Sequence, residues 1–547
     1  MTNIDLTLLS SLEKVMKGEK VSESNFSGFS MLNNERKSFQ LFISSGSDSV
    51  SLEIKSDLDC ITAYTVEYLP SEFAINEKTA DDYVIRSKDG FYPDLLLPVA
   101  ETVSLENGEK TVWFEIKPDN KLAAGKHKIE IIVSSDDSEN SVSLEIEVIG
   151  CSLEKQSLIF TNWFHSDCLM QEYGFEAFSD EYWRVVKNYM AVASEHGMNC
   201  ILTPLFTPSL DIAVGGERPT VQLVDVTLEK GRYSFNFDKL KKWIETAQSC
   251  GINYFEMAHF FTQWGAKFAP KIMATVNGEY KQIFGWKTLV ISQKYKKFLT
   301  QFAAELKSFI EAMGLKEKTL IHVSDEPNSS QTFTYRIAAN IIKKLFSGYR
   351  IIDALSDFKF YKKGLVNTPI PANDHITPFI GNVPELWTYY CCGQDNKYVS
   401  NRFFSIPSQR NRVLGYQLYK YDVKGFLHWG FNFWNTRYSK MKINPYEITD
   451  AGKAFQSGDS YVVYPKKDGT PLCSLRLKVF YDGFQDMMAL QTLEKLAGRK
   501  KALAVLEDGL DKELTFFEYP HSKEWQLETR ERINAEIKNS LETQNNK

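Results

Sequence analysis

The run His322-Val323-Ser324-Asp325-Glu326-Pro327-Asn328 places two carboxyls side by side behind a short apolar stretch. Each raises the cost of ionising the other, which favours one remaining protonated as a general acid. Pro327 biases Glu326 away from helical geometry, so an extended backbone is predicted there. Neighbouring side chains of an extended chain aim in different directions. Asp325 and Glu326 can then serve two parts of one ligand. The same Ser-Asp-Glu-Pro run also has the composition of a helix start.

Glycoside hydrolysis is chemistry that two carboxyls perform, one on each side of a sugar ring. A partner acid is expected from a distant segment. The late segment Gly425 to Asn435 carries His428, Trp429, Asn432, Trp434 and Asn435, but no carboxylate. That composition disfavours an enzymatic nucleophile from this strand. It fits a substrate that brings its own nucleophile: the acetamide oxygen of a 2-acetamido sugar attacks C1 and forms an oxazoline. Asp325 would orient the acetamide N–H, and Glu326 would protonate the leaving oxygen and then activate water. His165 and Asp167, in Asn162 to Cys168, could bind hydroxyls, although a lone histidine is also a common structural residue. Trp and Tyr in Leu386 to Cys392 and His428 to Trp434 offer faces for a pyranose and groups for its hydroxyls. Core packing is the competing reading of each aromatic.

The positioning elements follow from periodicity. Ser38 to Ile43, Ser51 to Ile54, Thr111 to Ile116, His127 to Val133 and Ser141 to Ile149 alternate apolar and polar residues between turn signals. They predict an antiparallel β-sandwich with one face of each sheet in water. After Gly150 short apolar strands alternate with helices. The strands are Ile159 to Phe164, Cys200 to Phe206, Tyr254 to Ala258, Leu320 to Val323, Arg350 to Leu355, Leu386 to Cys391 and Gly425 to Gly430. Helices are predicted at Asp180 to His196 with Asp180 as N-cap, Asp238 to Cys250, Ser292 to Met313 and Gln331 to Phe346. This alternation implies a parallel sheet, either doubly wound or closed into a barrel; with no glycine-rich phosphate loop after the first strand, a (β/α)8 TIM-type barrel is predicted, with strands poorly marked over 356–425. A strand at Gly458 to Pro465 and a helix-rich tail follow. The predicted domains are 1–152, the sandwich, and 153–547, the barrel with its C-terminal extension.

Composition narrows the function classes. Net charge is −6 over 547 residues, which gives no basic face for nucleic acid. No run of 18 apolar residues occurs, and the start lacks the pattern of a signal peptide. A cytoplasmic protein that does not associate with membranes is expected, with its cysteines reduced. No glycine-rich phosphate loop, H-E-x-x-H or G-x-S-x-G motif is present, so neither cofactor nor metal is expected.

The motifs together resemble glycoside hydrolase family 123. They are His322 to Asn328, Asn162 to Cys168, Leu386 to Cys392, Leu427 to Asn435, Gly458 to Pro465 with Ser474 to Asp486, and, in the sandwich, Phe91 to Pro98 with Thr111 to Val133. The likeness runs from about residue 90 to the end. It implies an N-terminal sandwich, a (β/α)8 barrel and an exo-acting, retaining β-N-acetylgalactosaminidase with substrate assistance. It puts the catalytic Asp-Glu pair on Asp325 and Glu326. It suggests His165, Asp167, Trp387, Tyr389, Tyr390, Trp429, Asn432 and Trp434 as contacts to a glycan ending in β-linked N-acetylgalactosamine. Strand alternation lets only one of Tyr389 and Tyr390 face a pocket. A β-N-acetylglucosaminidase of the same mechanism and a non-catalytic carbohydrate-binding relative are the alternatives.

Overall fold

The computed structural model describes residues 3–21, 24–99 and 101–545. Two five-stranded sheets form the N-terminal part. One is ordered Ile4–Ser10, Lys37–Ser45, Glu109–Ile116, Ile61–Ser71, Gly90–Pro98; the other Gly28–Leu32, Glu139–Ile149, Gly125–Ser134, Ser49–Ser56, Thr102–Ser104. Their inner faces share a core in which Phe39 and Phe114 stack at 5.0 Å among Leu41, Ile129, Ile131 and Ile146. Pairing is antiparallel except for Gly28–Leu32, which runs parallel to Glu139–Ile149. Its chain neighbours lie in the opposite sheet, so no hairpin dictates its direction.

The expectation that one face of each sheet meets water fails for the first sheet. Glu109–Ile116 is buried along nearly its whole length. Trp113 on its outer face packs with Leu475 and Val479 of a C-terminal helix.

The second part is built on eight parallel strands, β1 Ile159–Asn162, β2 Cys200–Thr203, β3 Tyr254–Met257, β4 Thr319–His322, β5 Arg350–Ala354, β6 Thr368–Ile370, β7 Trp387–Tyr389 and β8 Gly425–His428. The hydrogen-bonded order runs β6-β5-β4-β3-β2-β1-β8-β7. A single parallel bridge, Ala372 to Tyr389, joins the two edges into a nearly closed barrel. β6 is the strand that the sequence pattern misses. It is Thr-Pro-Ile, and only a turn at Asn373–His375 follows it, so neither strand nor helix periodicity marks it.

Helices α1 Ser166–Tyr173, α2 Asp180–Glu195, α3 Asp238–Ser249, α4 Gln293–Ala312, α5 Thr332–Leu345, α6 Phe358–Lys362, α7 Ser408–Arg412 and α8 Leu414–Lys420 fill the other connections. α2 is capped by Ser179, whose side chain accepts the Tyr182 N–H, and not by Asp180. α4 buries Tyr295, Phe298, Leu299, Phe302, Leu306 and Ile310, the i, i+3, i+4 stripe read from its sequence. Insertions after β2 and β3 pair into a four-stranded sheet, Asp225–Glu229, Arg232–Asn236, Ile272–Val276 and Glu279–Phe284, which the sequence analysis did not anticipate.

Within Gly458 to Pro465 only Val463–Pro465 is a strand, paired with Pro471–Cys473. The tail forms α9 Leu475–Ala497, α10 Arg499–Leu506 and α11 Lys523–Asn545. α9 lies between barrel and sandwich and is buried on most sides. α11 returns to the sandwich, where Glu531 and Asn534 bond Ser30 and Arg530 pairs with Glu35. The tail therefore packs on both parts. No helix of the described residues is long and apolar enough to cross a membrane.

Candidate active site

A cleft of about 320 Å3 opens at the C-terminal ends of the barrel strands, where barrels carry their functional groups. Asp325 and Glu326 both line it. β4 ends at His322, and the chain then turns sharply. Glu326 has φ +41°, in the left-handed region, so the extended backbone predicted from Pro327 is not adopted. Two hydrogen bonds hold this conformation: Glu326 N–H donates to the Ala354 carbonyl at 3.0 Å, and Trp264 N–H donates to the Asp325 carbonyl at 2.8 Å. A non-glycine residue there costs on the order of 1–3 kcal/mol and persists only where its surroundings enforce it. Asp211, Trp264 and Tyr438, on the cleft wall, also have positive φ. Nor does the Asp-Glu pair cap a helix. Asn328 caps the following turn, and α5 begins at Thr332.

Glu326 accepts a hydrogen bond from the Tyr389 hydroxyl at 2.5 Å. Among the described residues no donor reaches the Asp325 carboxyl, which faces the cleft. Burial pushes both carboxyls above their ordinary range; the charge of Glu326 adds to the rise at Asp325, and Tyr389 moderates that at Glu326. The pair therefore resists carrying two charges.

Beneath the pair lies a fully buried ion cluster. His322 Nδ1 bonds Asp353 at 3.0 Å, and its Nε2 bonds Glu256. Glu256 also accepts from Thr161 at 2.5 Å and Trp163 Nε1 at 2.8 Å, while Asp353 accepts from Tyr335 and the Val323 N–H. The cluster ties β1, β3, β4 and β5 together directly below the site. Burial alone would lower the His322 pKa, but the two flanking carboxylates overcome it and raise it to about 10. The imidazolium thus contributes stability that is complete below about pH 6.5, the ordinary histidine value, and is lost as pH rises toward 10. Urea unfolding across that range is expected to show the loss, and His322→Gln to flatten it. Glu256 and Asp353 were not singled out from the sequence. Their signal was a carboxylate embedded in an apolar strand, which has to find a buried partner.

The other expected residues divide into two groups. His165, Tyr389 and Trp429 line the cleft. His165 accepts from Arg218 on Nδ1 at 3.2 Å and donates from Nε2 to the Trp429 carbonyl at 2.9 Å. Burial and then Arg218 hold its pKa down to about 3, so the ring is neutral. Asp167, Trp387, Tyr390, Asn432 and Trp434 lie off the cleft. Asp167 forms a two-pronged pair with Arg218 at 2.7 and 2.8 Å. Asn432 bonds the His165 backbone through both ends of its amide. Trp434 donates to the Val463 carbonyl at 3.3 Å. Trp387 fills the barrel interior against Gly425, where a Cβ would sit 2.1 Å from its ring. Tyr390 turns into the outer layer against Phe426. Alternation along β7 thus selects Tyr389 for the cleft.

Trp163, Asp211, Gln263, Trp264, Arg437, Tyr438 and Phe455 also line the cleft and were not anticipated. Most lie in loops with no periodicity. Asp211 accepts the Tyr438 N–H at 2.9 Å, and burial raises its pKa to about 6. Trp429 is steadied from behind by Asp459, which accepts its Nε1–H at 3.0 Å.

Eight parallel strands closing on a cleft with paired carboxyls and aromatic walls are the build of a barrel glycoside hydrolase. The model of the glycoside hydrolase 123 catalytic domain matches residues 163–493, and the chain belongs to that family. That span includes most of α9, so the tail's first helix is part of the catalytic unit. Among solved structures, a family 123 glycoside hydrolase from Clostridium perfringens, studied for glycolipid glycan hydrolysis, superposes with a TM-score of 0.73 at 15% identity, covering 100% of this chain and 98% of that one. A β-glucuronidase from Parabacteroides merdae reaches only 0.30 at 11% identity, covering 89% and 52%. The search of curated proteins found no match.

Proposed function

We propose that this family 123 enzyme is an exo-acting, retaining β-N-acetylgalactosaminidase that uses the acetamide of its substrate as nucleophile. The observation that carries the reading is the unequal bracing of two adjacent carboxyls in one cleft. Glu326 is held by Tyr389, and Asp325 is left open toward the ligand. In this reading the substrate's acetamide N–H bonds Asp325 and localises the pair's charge there. The proton then resides on Glu326, beside the glycosidic oxygen. Glu326 gives it to the leaving group as the acetamide oxygen attacks C1, and takes one from water as the oxazoline opens. Trp429 and Trp163 line the cleft in which the sugar would sit. The preference for the galacto epimer follows from the family resemblance and is tested by kcat/KM on the two aryl N-acetylhexosaminides.

The mechanism is tested by comparing an aryl β-N-acetylgalactosaminide with the matching β-galactoside. The galactoside lacks both the nucleophile and the group Asp325 binds. A site built around a missing polar group rejects the analogue by about 10⁴ or more. Equal turnover would overturn substrate assistance. Asp211 supports a second reading, in which a protein carboxylate attacks C1. Asp211→Asn would then abolish turnover of both glycosides, whereas substrate assistance predicts that the galactosaminide keeps its advantage over the galactoside.

The pair also sets a pH profile. Activity needs one carboxyl ionised and one protonated, so kcat/KM falls on either side of a maximum. Because burial raises both, each limb should lie above the ordinary carboxylate values of 3.8 and 4.5. Tyr389→Phe removes the hydrogen bond that favours ionised Glu326, so the basic limb should move to higher pH.

A further inference from the structure

Cys391 and Cys392 lie just past the end of β7, after Tyr390, line the cleft, and take no part in the reaction above. Both are free thiols of intermediate exposure. Both side chains face the same cleft, and the Cys391 thiol reaches Gln394 Oε1 at 3.4 Å. The other cysteines are dispersed singly through the chain.

Adjacent residues have their Cα atoms about 3.8 Å apart. A disulfide is at ease at about 4.4–6.8 Å. A direct sulfur–sulfur bond between these two is therefore strained and readily reduced. An atom bridging the two sulfurs lifts that constraint, because each thiol then bonds the bridge and not its neighbour. The suitable bridge is soft, binds two sulfurs at once and carries exchangeable oxygen ligands.

We propose that Cys391 and Cys392 form a dithiol capture site for trivalent arsenic, and that its occupation closes the active-site cleft. With a hydrated aryl arsenoxide, two As–S bonds form and two As–O bonds break. The two thiol protons leave with the two hydroxides as water. Arsenic stays trivalent, and nothing is oxidised or reduced. The consequence for the cleft follows from position. Tyr389, two residues upstream, holds Glu326. Trp429, held by Asp459, lines the same cleft. A group carried by the two sulfurs stands between these walls, in the space a sugar would occupy.

The test uses the full reduced chain and phenylarsine oxide in the presence of millimolar monothiol, read by intact mass. One arsenical per chain should be retained and then stripped by 2,3-dimercaptopropanol. Cys391→Ala and Cys392→Ala each turn a chelate into a single bond, so each should need about 10² or more times the arsenical for half-saturation. Cys60→Ala, in the sandwich, should capture as the wild type does. Turnover of the aryl glycoside should fall at least about tenfold on capture and return with the dithiol. Absence of an adduct, or an adduct that survives both cleft substitutions, overturns the capture site. An adduct with unchanged turnover overturns closure of the cleft. The mass readout does not require the proposed sugar to be the substrate, so failure of the activity reading and failure of the capture site are told apart.

Discussion

On the proposed substrate-assisted mechanism, replacing Glu326 by Gln should lower kcat/KM for β-N-acetylgalactosaminides with poor leaving groups by about 10²–10⁴, equivalent to about 3–5 kcal/mol of transition-state stabilisation. The substitution is nearly isosteric, and the Gln carbonyl can still accept from Tyr389, so the turn after β4 should persist. What disappears is the proton. A dinitrophenolate leaves without one, so kcat/KM for that activated substrate should change little. Its kcat should still fall, because opening the oxazoline needs a base to take a proton from water. The basic limb of the pH profile should vanish with the carboxyl. The measurement is kcat/KM across a series of leaving groups, where the variant should show a much steeper dependence on leaving-group pKa than the wild type. A uniform loss across the series would assign Glu326 to binding, and wild-type rates with poor leaving groups would remove it from the chemistry.

The second large effect is on stability. Asp94, on the sandwich strand Gly90–Pro98, is fully buried and pairs with Arg476 of α9 at 2.7 and 3.0 Å. Tyr464 donates to the same carboxyl. Arg476 also donates to the Gly458 carbonyl at 2.5 Å and the Tyr461 carbonyl at 3.0 Å, which fixes the loop that carries Asp459 behind Trp429. Asp94→Asn leaves the guanidinium without its counter-charge in a fully buried site. Removing one partner of such a pair costs about 3–5 kcal/mol. The urea midpoint should fall accordingly, while Lys17→Ala, which breaks an exposed pair with Glu106, should shift stability by no more than about 1 kcal/mol. Asp94→Leu combined with Arg476→Met should recover part of the loss, because it removes both charges instead of stranding one. A double variant no better than Asp94→Asn would mean that the lost packing, not the charge, dominates.

The legible part of this molecule was the part governed by local periodicity and by motif. The stripe of α4 was readable because each apolar residue falls on one face whatever lies opposite. The strands Ile159 to Phe164 and Gly425 to Gly430 were readable because a parallel strand buried on both faces leaves a short, mostly apolar run in place of strict alternation. β6 was not, since three residues containing Pro369 carry no period. The four-stranded sheet in the loops after β2 and β3 was missed for a related reason: its polar outer residues resemble loop composition. Among the contact residues, Trp434 and Tyr389 show the limit most clearly. Both are aromatic residues in motifs near strand ends, yet one is anchored in the outer layer by the Val463 carbonyl and the other turns to Glu326.

By itself, the sequence determined the elements, the adjacency of Asp325 and Glu326 and their place after an apolar strand, because these depend on covalent neighbours and on a repeat of two or 3.6 residues. Only the tertiary structure decided which carboxyl is braced, that His322 bears a charge between Glu256 and Asp353, and that the sandwich's outer face is covered by α9. Those outcomes depend on groups tens to hundreds of residues apart meeting in a space without water. There a single oxygen a few ångströms away changes a proton's residence, and no local pattern encodes that distance.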